Sequence, residues 1–292
     1  KIQEPSLKVK SDDKNEFSKV ETLFESYKSL IRNYELNKTE ILNEIKEYAL
    51  LFKEYFNYDI IENELTDEFG IERMNAIIFG LDTSTLIPYI LYVLKNNNDK
   101  KQVKELLEFI ESYVMRRIIV NASTKNYKQL FSERLISNEI ITKDQFVDFI
   151  VKSSEKINYL PNDQELKEGF KKSILINKQS AGILYFIESK VRDRSRQATQ
   201  LLGISKYSLE HLMPKKWENN WESLSSNEEI YNRNKKLLTL GNLAIITQSL
   251  NASIRDSDWK TKKQGNQRSQ GLIHYSAGIE TLAQYLELEK WD

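Results

Sequence analysis

The chain holds only two histidines, His211 and His274, and no cysteine. That excludes disulfides, thiolate zinc sites and cysteine nucleophiles, and leaves too few histidines for a three-histidine metal site or a His-Glu-x-x-His zinc helix. Any histidine chemistry must therefore use one of these two residues. Glu210 directly precedes His211 in the segment Tyr207-Ser208-Leu209-Glu210-His211-Leu212-Met213-Pro214. The Tyr207/Leu209 alternation suits a strand, and Pro214 ends it. On a regular strand the two side chains would point to opposite faces. A local distortion at the strand end would bring carboxylate and imidazole to one metal-and-water site.

Further polar residues follow at defined spacing. Leu237 to Ile246 reads as apolar β structure broken by Gly241-Asn242, and Asn251 opens a polar segment reaching Trp259, Lys260, Lys262 and Lys263 that reads as the closing helix. Trp217, Trp221 and Trp259 read as core.

The elements in front of this region read as helices. Phe17, Val20, Leu23, Phe24, Tyr27, Leu30, Ile31 and Tyr34 form one apolar stripe at three- and four-residue spacing. After the polar break at Asn37-Lys38-Thr39 a second stripe runs from Ile41 to Tyr55. Met74 to Phe79, Leu86 to Leu94, Val103 to Val120 and Ile183 to Val191 are further apolar stretches, and their aromatic residues read as core by default. Thr142 with Gln145, and Asn162 with Glu165 just after Pro161, have the spacing of capping boxes. Arg116-Arg117 sits within an apolar helix, and adjacent residues there point about 100° apart, so at least one should leave the core. An internal ion pair or a snorkelling side chain is the plain reading, a phosphate or docking contact the sharper one. No fixed-period repeat, low-complexity tract or clear hairpin signal interrupts this region.

The expected fold is therefore mainly α: an all-α domain over residues 1–195, followed by a smaller unit over residues 196–292. The length of 292 residues allows a real core in each. The 43 basic and 43 acidic residues balance, but the chain from Lys190 onward carries +4 and the remainder −4. A polyanion would more readily meet the C-terminal third, where Lys190, Arg192, Arg194, Arg196 and Lys206 cluster. No run of 18 apolar residues and no secretory signal is visible. The expectation is a cytoplasmic protein without a membrane partner. The chain begins at Lys1 rather than methionine, as an excerpt or a processed product would.

Glu-His-Leu-Met-Pro at 210–214, Trp217, Leu-Gly-Asn-Leu at 240–243, Leu250-Asn251 and Trp259-Lys260-Thr261-Lys262-Lys263 form an ordered set, with Asn242 and Asn251 nine residues apart. This set resembles the HNH nuclease domain at the C-terminus of GmrSD-type (type IV, modification-dependent) restriction endonucleases. Tyr113-Val114-Met115-Arg116-Arg117 and Leu184-Tyr185-Phe186-Ile187-Glu188 resemble the helical segment preceding that nuclease.

The resemblance implies a small α+β, ββα-metal (HNH, His-Me finger) nuclease behind the helical domain, of the zinc-free kind, cleaving phosphodiester bonds of modified phage DNA. His211 is then the general base activating water, a task suited to a near-neutral pKa. Glu210 and Asn251 are expected to hold one divalent ion, Mg2+ or Mn2+. Asn242 is expected to orient the imidazole through its side-chain carbonyl. Lys260, Lys262 and Lys263 are expected to contact phosphates. Each has a plainer alternative: His211 a structural histidine, Glu210 a surface carboxylate, Gly241-Asn242 a positive-φ turn, Asn251 a helix cap, the lysines a solvated face.

The chain departs from the family pattern at three places. Lys215 stands where glutamine commonly follows the proline, Arg255-Asp256 where Ser-Asn is usual, and the closing segment stops at Trp291-Asp292. Asp256 then becomes a substitute ligand or a polar support. No Asp-Gly-Gln-Gln-Arg motif and no Gly-rich phosphate loop occurs. The nucleotide-hydrolysing domain of such systems is therefore expected in a partner subunit or in another part of the protein. Two other functions stay open. One is a non-catalytic DNA-binding or assembly module of a restriction complex. The other is a metal-independent HEPN-like ribonuclease using Arg268 and His274, whose spacing fits a loose Arg-x4–6-His signature.

Overall fold

Asn37 separates the first two helices by capping the second. In the computed structural model, which describes residues 23–153, 156–192, 200–267, 269–275 and 279–291, α1 spans Leu23–Asn33 and α2 spans Lys38–Tyr55. The Asn37 side-chain oxygen accepts from the Thr39 and Glu40 amides, satisfying donors that a helix start leaves open. Phe17 and Val20 lie outside the described residues. The second stripe departs from the expectation that it is core. No residue of α2 is buried, and Leu42, Ile45, Leu50 and Phe52 are exposed.

The buried helices come next: α3 (Ile71–Gly80), α4 (Ile87–Asn96), α5 (Lys100–Ile119), α6 (residues 127–137, with a π turn at Leu130–Arg134), α7 (Lys143–Lys152), α8 (Asp163–Lys172) and α9 (Asn177–Val191). Both capping boxes form at the starts of α7 and α8, each Thr142 or Asn162 side chain accepting from the third helical amide and the partner Gln145 or Glu165 reaching back. Tyr89, Phe109, Tyr113, Tyr127, Phe131 and Phe146 pack as an aromatic cluster, mostly edge to face.

Arg116 and Arg117 have structural partners. Arg117 is buried and donates to the carbonyls of Tyr159 and Ser123, at 3.0 and 2.6 Å. Arg116 donates to the Pro161 carbonyl and pairs with Asp163 at 2.7 Å. Together they tie the loops after α5 and before α8 to α5.

After α9 the chain forms β1 (Tyr207–His211), α10 (Asn227–Lys236), β2 (Leu243–Thr247), α11 (Gln248–Ile254) and α12 (Trp259–Gln264). The short strands β3 (Gly265–Asn266) and β4 (Ser269–Gln270) and the helices α13 (Leu272–Tyr275) and α14 (Glu280–Ala283) close it. β1 pairs antiparallel with β2, Glu210 opposite Ala244 and His211 opposite Leu243. The second strand is shorter than its apolar run suggests, because Leu240–Asn242 forms a 3-10 turn before it. The expected closing helix is two helices, broken at Arg255, which takes a left-handed φ of 42°.

The helix α9 packs against α5 on one side and against β1, β2 and α14 on the other. The buried Glu188 carboxylate accepts from the backbone amides of Glu280 and Thr281 at 2.9 and 2.8 Å, fixing the start of α14. One apolar core runs from Phe56 through α9 and the β1–β2 pair to Leu286. Among the described residues no helix is long and apolar enough to cross a membrane.

Candidate active site

At its C-terminal end β1 delivers two successive side chains to one place. Glu210 and His211 both line a cavity of about 370 Å³ together with Leu209, Pro214, Lys215, Lys216, Asn251, Arg255, Asp256 and Lys262. The helix α11 packs on both strands and brings Asn251 to this cavity. The strand β1, the turn after it, α11 and α12 thus converge on one polar cavity. A larger cavity of about 890 Å³ lies behind the turn after β1, with Leu184, Ile187, Met213 and Leu240 in its wall. Its wall is mainly apolar and holds no histidine, whereas the smaller cavity holds His211.

Glu210 is buried and forms an ion pair with Lys262, which is itself fully buried. The Lys262 ammonium also donates to the His211 carbonyl at 2.7 Å. Burial pushes the Glu210 carboxyl up from its ordinary pKa and the Lys262 ammonium down, each opposed by the charge of the other. Lys262 is therefore no open phosphate contact. The three expected lysines are separated: Lys260 is exposed, Lys262 is buried under Glu210, and Lys263 is half-buried and donates to the Leu288 carbonyl at 2.9 Å.

His211 is half-buried, and its Nε2 is buried without a hydrogen-bond partner. Nδ1 is then the nitrogen left to meet a water in the cavity. Burial first, then the charges of Lys215 and Lys262, lower its pKa from 6.5 to about 4. The ring is neutral at neutral pH, the form that can accept a proton. Asn251 donates through Nδ2 to the Ser208 hydroxyl and the Leu209 carbonyl, both at 3.0 Å. Its carbonyl oxygen is the atom it can offer a ligand. Asn251 lies inside α11, whose N-cap is Thr247, so it is not a cap.

The structure gives Asn242 a different task from the expected one. Its carbonyl accepts from the Met213 amide and Trp291 Nε1, both at 2.8 Å, and its Nδ2 donates to the carbonyls of Met213 and Leu237. With both acceptor positions taken, Asn242 acts on the turn that follows His211 and not on the imidazole itself. Neither Gly241 nor Asn242 has a positive φ, so the turn chemistry considered for that pair does not apply. The tryptophans are packing residues as expected. Trp217 and Trp259 are buried, and their indole nitrogens donate to Asn234 Oδ1 and the Leu288 carbonyl.

Cationic residues that the motif reading set aside stand at the cavity. Lys215, Lys216 and Arg255 are exposed and line it. Two of them were visible only as departures from a pattern. Asp256 also lines it, and its carboxylate accepts from Asn219 Nδ2 at 3.1 Å, which holds its pKa below the ordinary value. His274 is exposed and lines a separate cavity with Thr247, Ser253 and Gln270. Arg194, Arg196 and Arg268 lie outside the described residues.

Among the described residues no three His, Asp or Glu side chains cluster as a metal site. The donors at the cavity are two carboxylates, Glu210 and Asp256, one amide carbonyl and one imidazole. That set fits a hard cation that keeps several waters and shares phosphate oxygens, and it does not fit a closed all-protein cage.

Residues 160–292 match the family described as GmrSD restriction endonucleases, C-terminal domain. The match begins just ahead of α8 and includes the cavity, but it leaves Tyr113 to Arg117 outside. No curated protein and no solved structure matches the chain.

Proposed function

Taking residues 160–292 as a C-terminal region of the GmrSD restriction-endonuclease type, we propose that the chain is a metal-dependent DNA endonuclease of the HNH kind. The observation that carries this reading is the convergence of Glu210, His211 and Asn251 on one polar cavity. His211 accepts a proton from water through Nδ1 while the water oxygen attacks phosphorus. The phosphorus bond to the leaving sugar oxygen breaks, and that oxygen takes a proton from solvent. Glu210 and Asn251 would hold Mg2+ or Mn2+, whose chemistry when bound is to polarise phosphoryl oxygens. Lys215, Lys216 and Arg255 flank the scissile phosphate, with Lys260 further along the duplex. The negative charge of that phosphate opposes Lys215 and Lys262 and so raises the basicity of His211. The biological setting is cytoplasmic restriction of modified phage DNA, with nucleotide hydrolysis supplied by a partner domain or subunit.

Supercoiled plasmid is the test substrate. Nicking or linearisation in Mg2+ or Mn2+, abolished by EDTA, is the expected result. Cleavage of RNA that persists in EDTA would instead mark the His274 chemistry.

The ion pair between Lys262 and Glu210 favours a second reading, a DNA-binding module whose site is inert, because an ammonium already meets the expected metal-binding carboxylate. DNA binding with no nicking in either metal ion would select it.

A further inference from the structure

The residues at the cavity carry more positive than negative charge. Glu210 and Lys262 face each other as an ion pair and cancel. Lys215, Lys216 and Arg255 then face Asp256 alone, a balance of +2. A divalent cation approaching the empty-handed protein meets like charge, and the carboxylate it needs is held by an internal ammonium. A phosphodiester reverses this. It brings negative charge into the cavity and draws on the same cations that repel the metal.

We infer that Lys262 is a resident cation for Glu210, and that divalent metal enters this cavity only together with a DNA phosphate. The inference rests on the endonuclease reading and adds an order of binding to it. Lys262 is a positioning residue here. Its ammonium keeps the buried Glu210 compensated while no metal is present, and its bond to the His211 carbonyl holds the end of β1. Free metal, free protein and free DNA then assemble as one cooperative unit, and the site stays silent toward metal alone.

The test is Mn2+ binding, read from loss of the free-ion signal in electron paramagnetic resonance. It uses the full chain alone, the chain with a short phosphorothioate duplex that resists cleavage, and the duplex alone as a control. A binding constant for Mn2+ tightened by about tenfold or more in the ternary mixture, beyond the duplex control, is the expected result. Lys262→Met should by itself tighten Mn2+ binding to the DNA-free chain by about tenfold, while Lys262→Arg should stay near wild type. Equal Mn2+ affinity with and without duplex would overturn the inference and leave the endonuclease reading standing. No Mn2+ binding in any mixture, Lys262→Met included, would overturn both. If Lys262→Met fails to fold, which a lost unfolding transition reveals, the comparison with and without duplex still decides, because it uses the unaltered chain.

Discussion

Of the buried ion pairs among the described residues, one in the helical bundle and one at the end of β1 are finished differently. In the bundle, Arg73 is fully buried and donates to both Glu111 carboxylate oxygens, to the Thr66 carbonyl at 2.7 Å and to the Ser189 hydroxyl at 2.9 Å. It joins α3, α5 and α9. Glu210 and Lys262 are as deeply buried, yet they line an open cavity beside His211, whose Nε2 has no partner. Burial and pairing alone do not distinguish structural from functional charge. What distinguishes them is that the bundle pair has its hydrogen-bonding capacity filled by protein, while the second pair borders space for another reactant.

This contrast can be broken experimentally. The largest effect on stability should come from Arg73→Met, which leaves the Glu111 carboxylate buried and uncompensated. A loss of about 3–5 kcal/mol is expected, measured by urea unfolding, with DNA affinity per folded molecule unchanged. An Arg73→Met chain as stable as wild type would show that the bundle pair is no more structural than the site pair.

A smaller effect concerns acid. The folded state holds the His211 pKa at about 4 against the ordinary 6.5. Between these values the unfolded chain binds the proton that the folded chain refuses, so folding stability falls as pH drops from 6.5 towards 4 and levels off below. His211→Ala should remove this contribution, making the stability of the variant less sensitive to pH in that window. Identical pH profiles for the two chains would place the imidazole in ordinary solvent.

Much of the fold was legible because its signals are local. The two capping boxes have a fixed three-residue spacing, and the Tyr207/Leu209 alternation ending at Pro214 marked β1. That Glu210, His211 and Asn251 belong together was legible in the motif, and the fold brings them to one cavity, but their wiring was not legible. Lysine defaults to the surface, and nothing local to Lys262 says that it turns inward to a carboxylate 52 residues away. The break between α11 and α12 was missed because Arg255 takes a left-handed φ without the glycine that usually signals one. Periodicity identified the apolar face of α2, but a periodic stripe records only that a face exists, not what lies against it.

The central claim is that the polar cavity at the end of β1 performs proton transfer through His211. Nicking of supercoiled plasmid under single-turnover conditions, wild type against His211→Ala, tests it most directly. The variant is expected to unfold in the same cooperative transition and bind DNA as wild type does, while its nicking rate falls by about 10²–10⁴. A folded His211→Ala chain that nicks at the wild-type rate would contradict the claim.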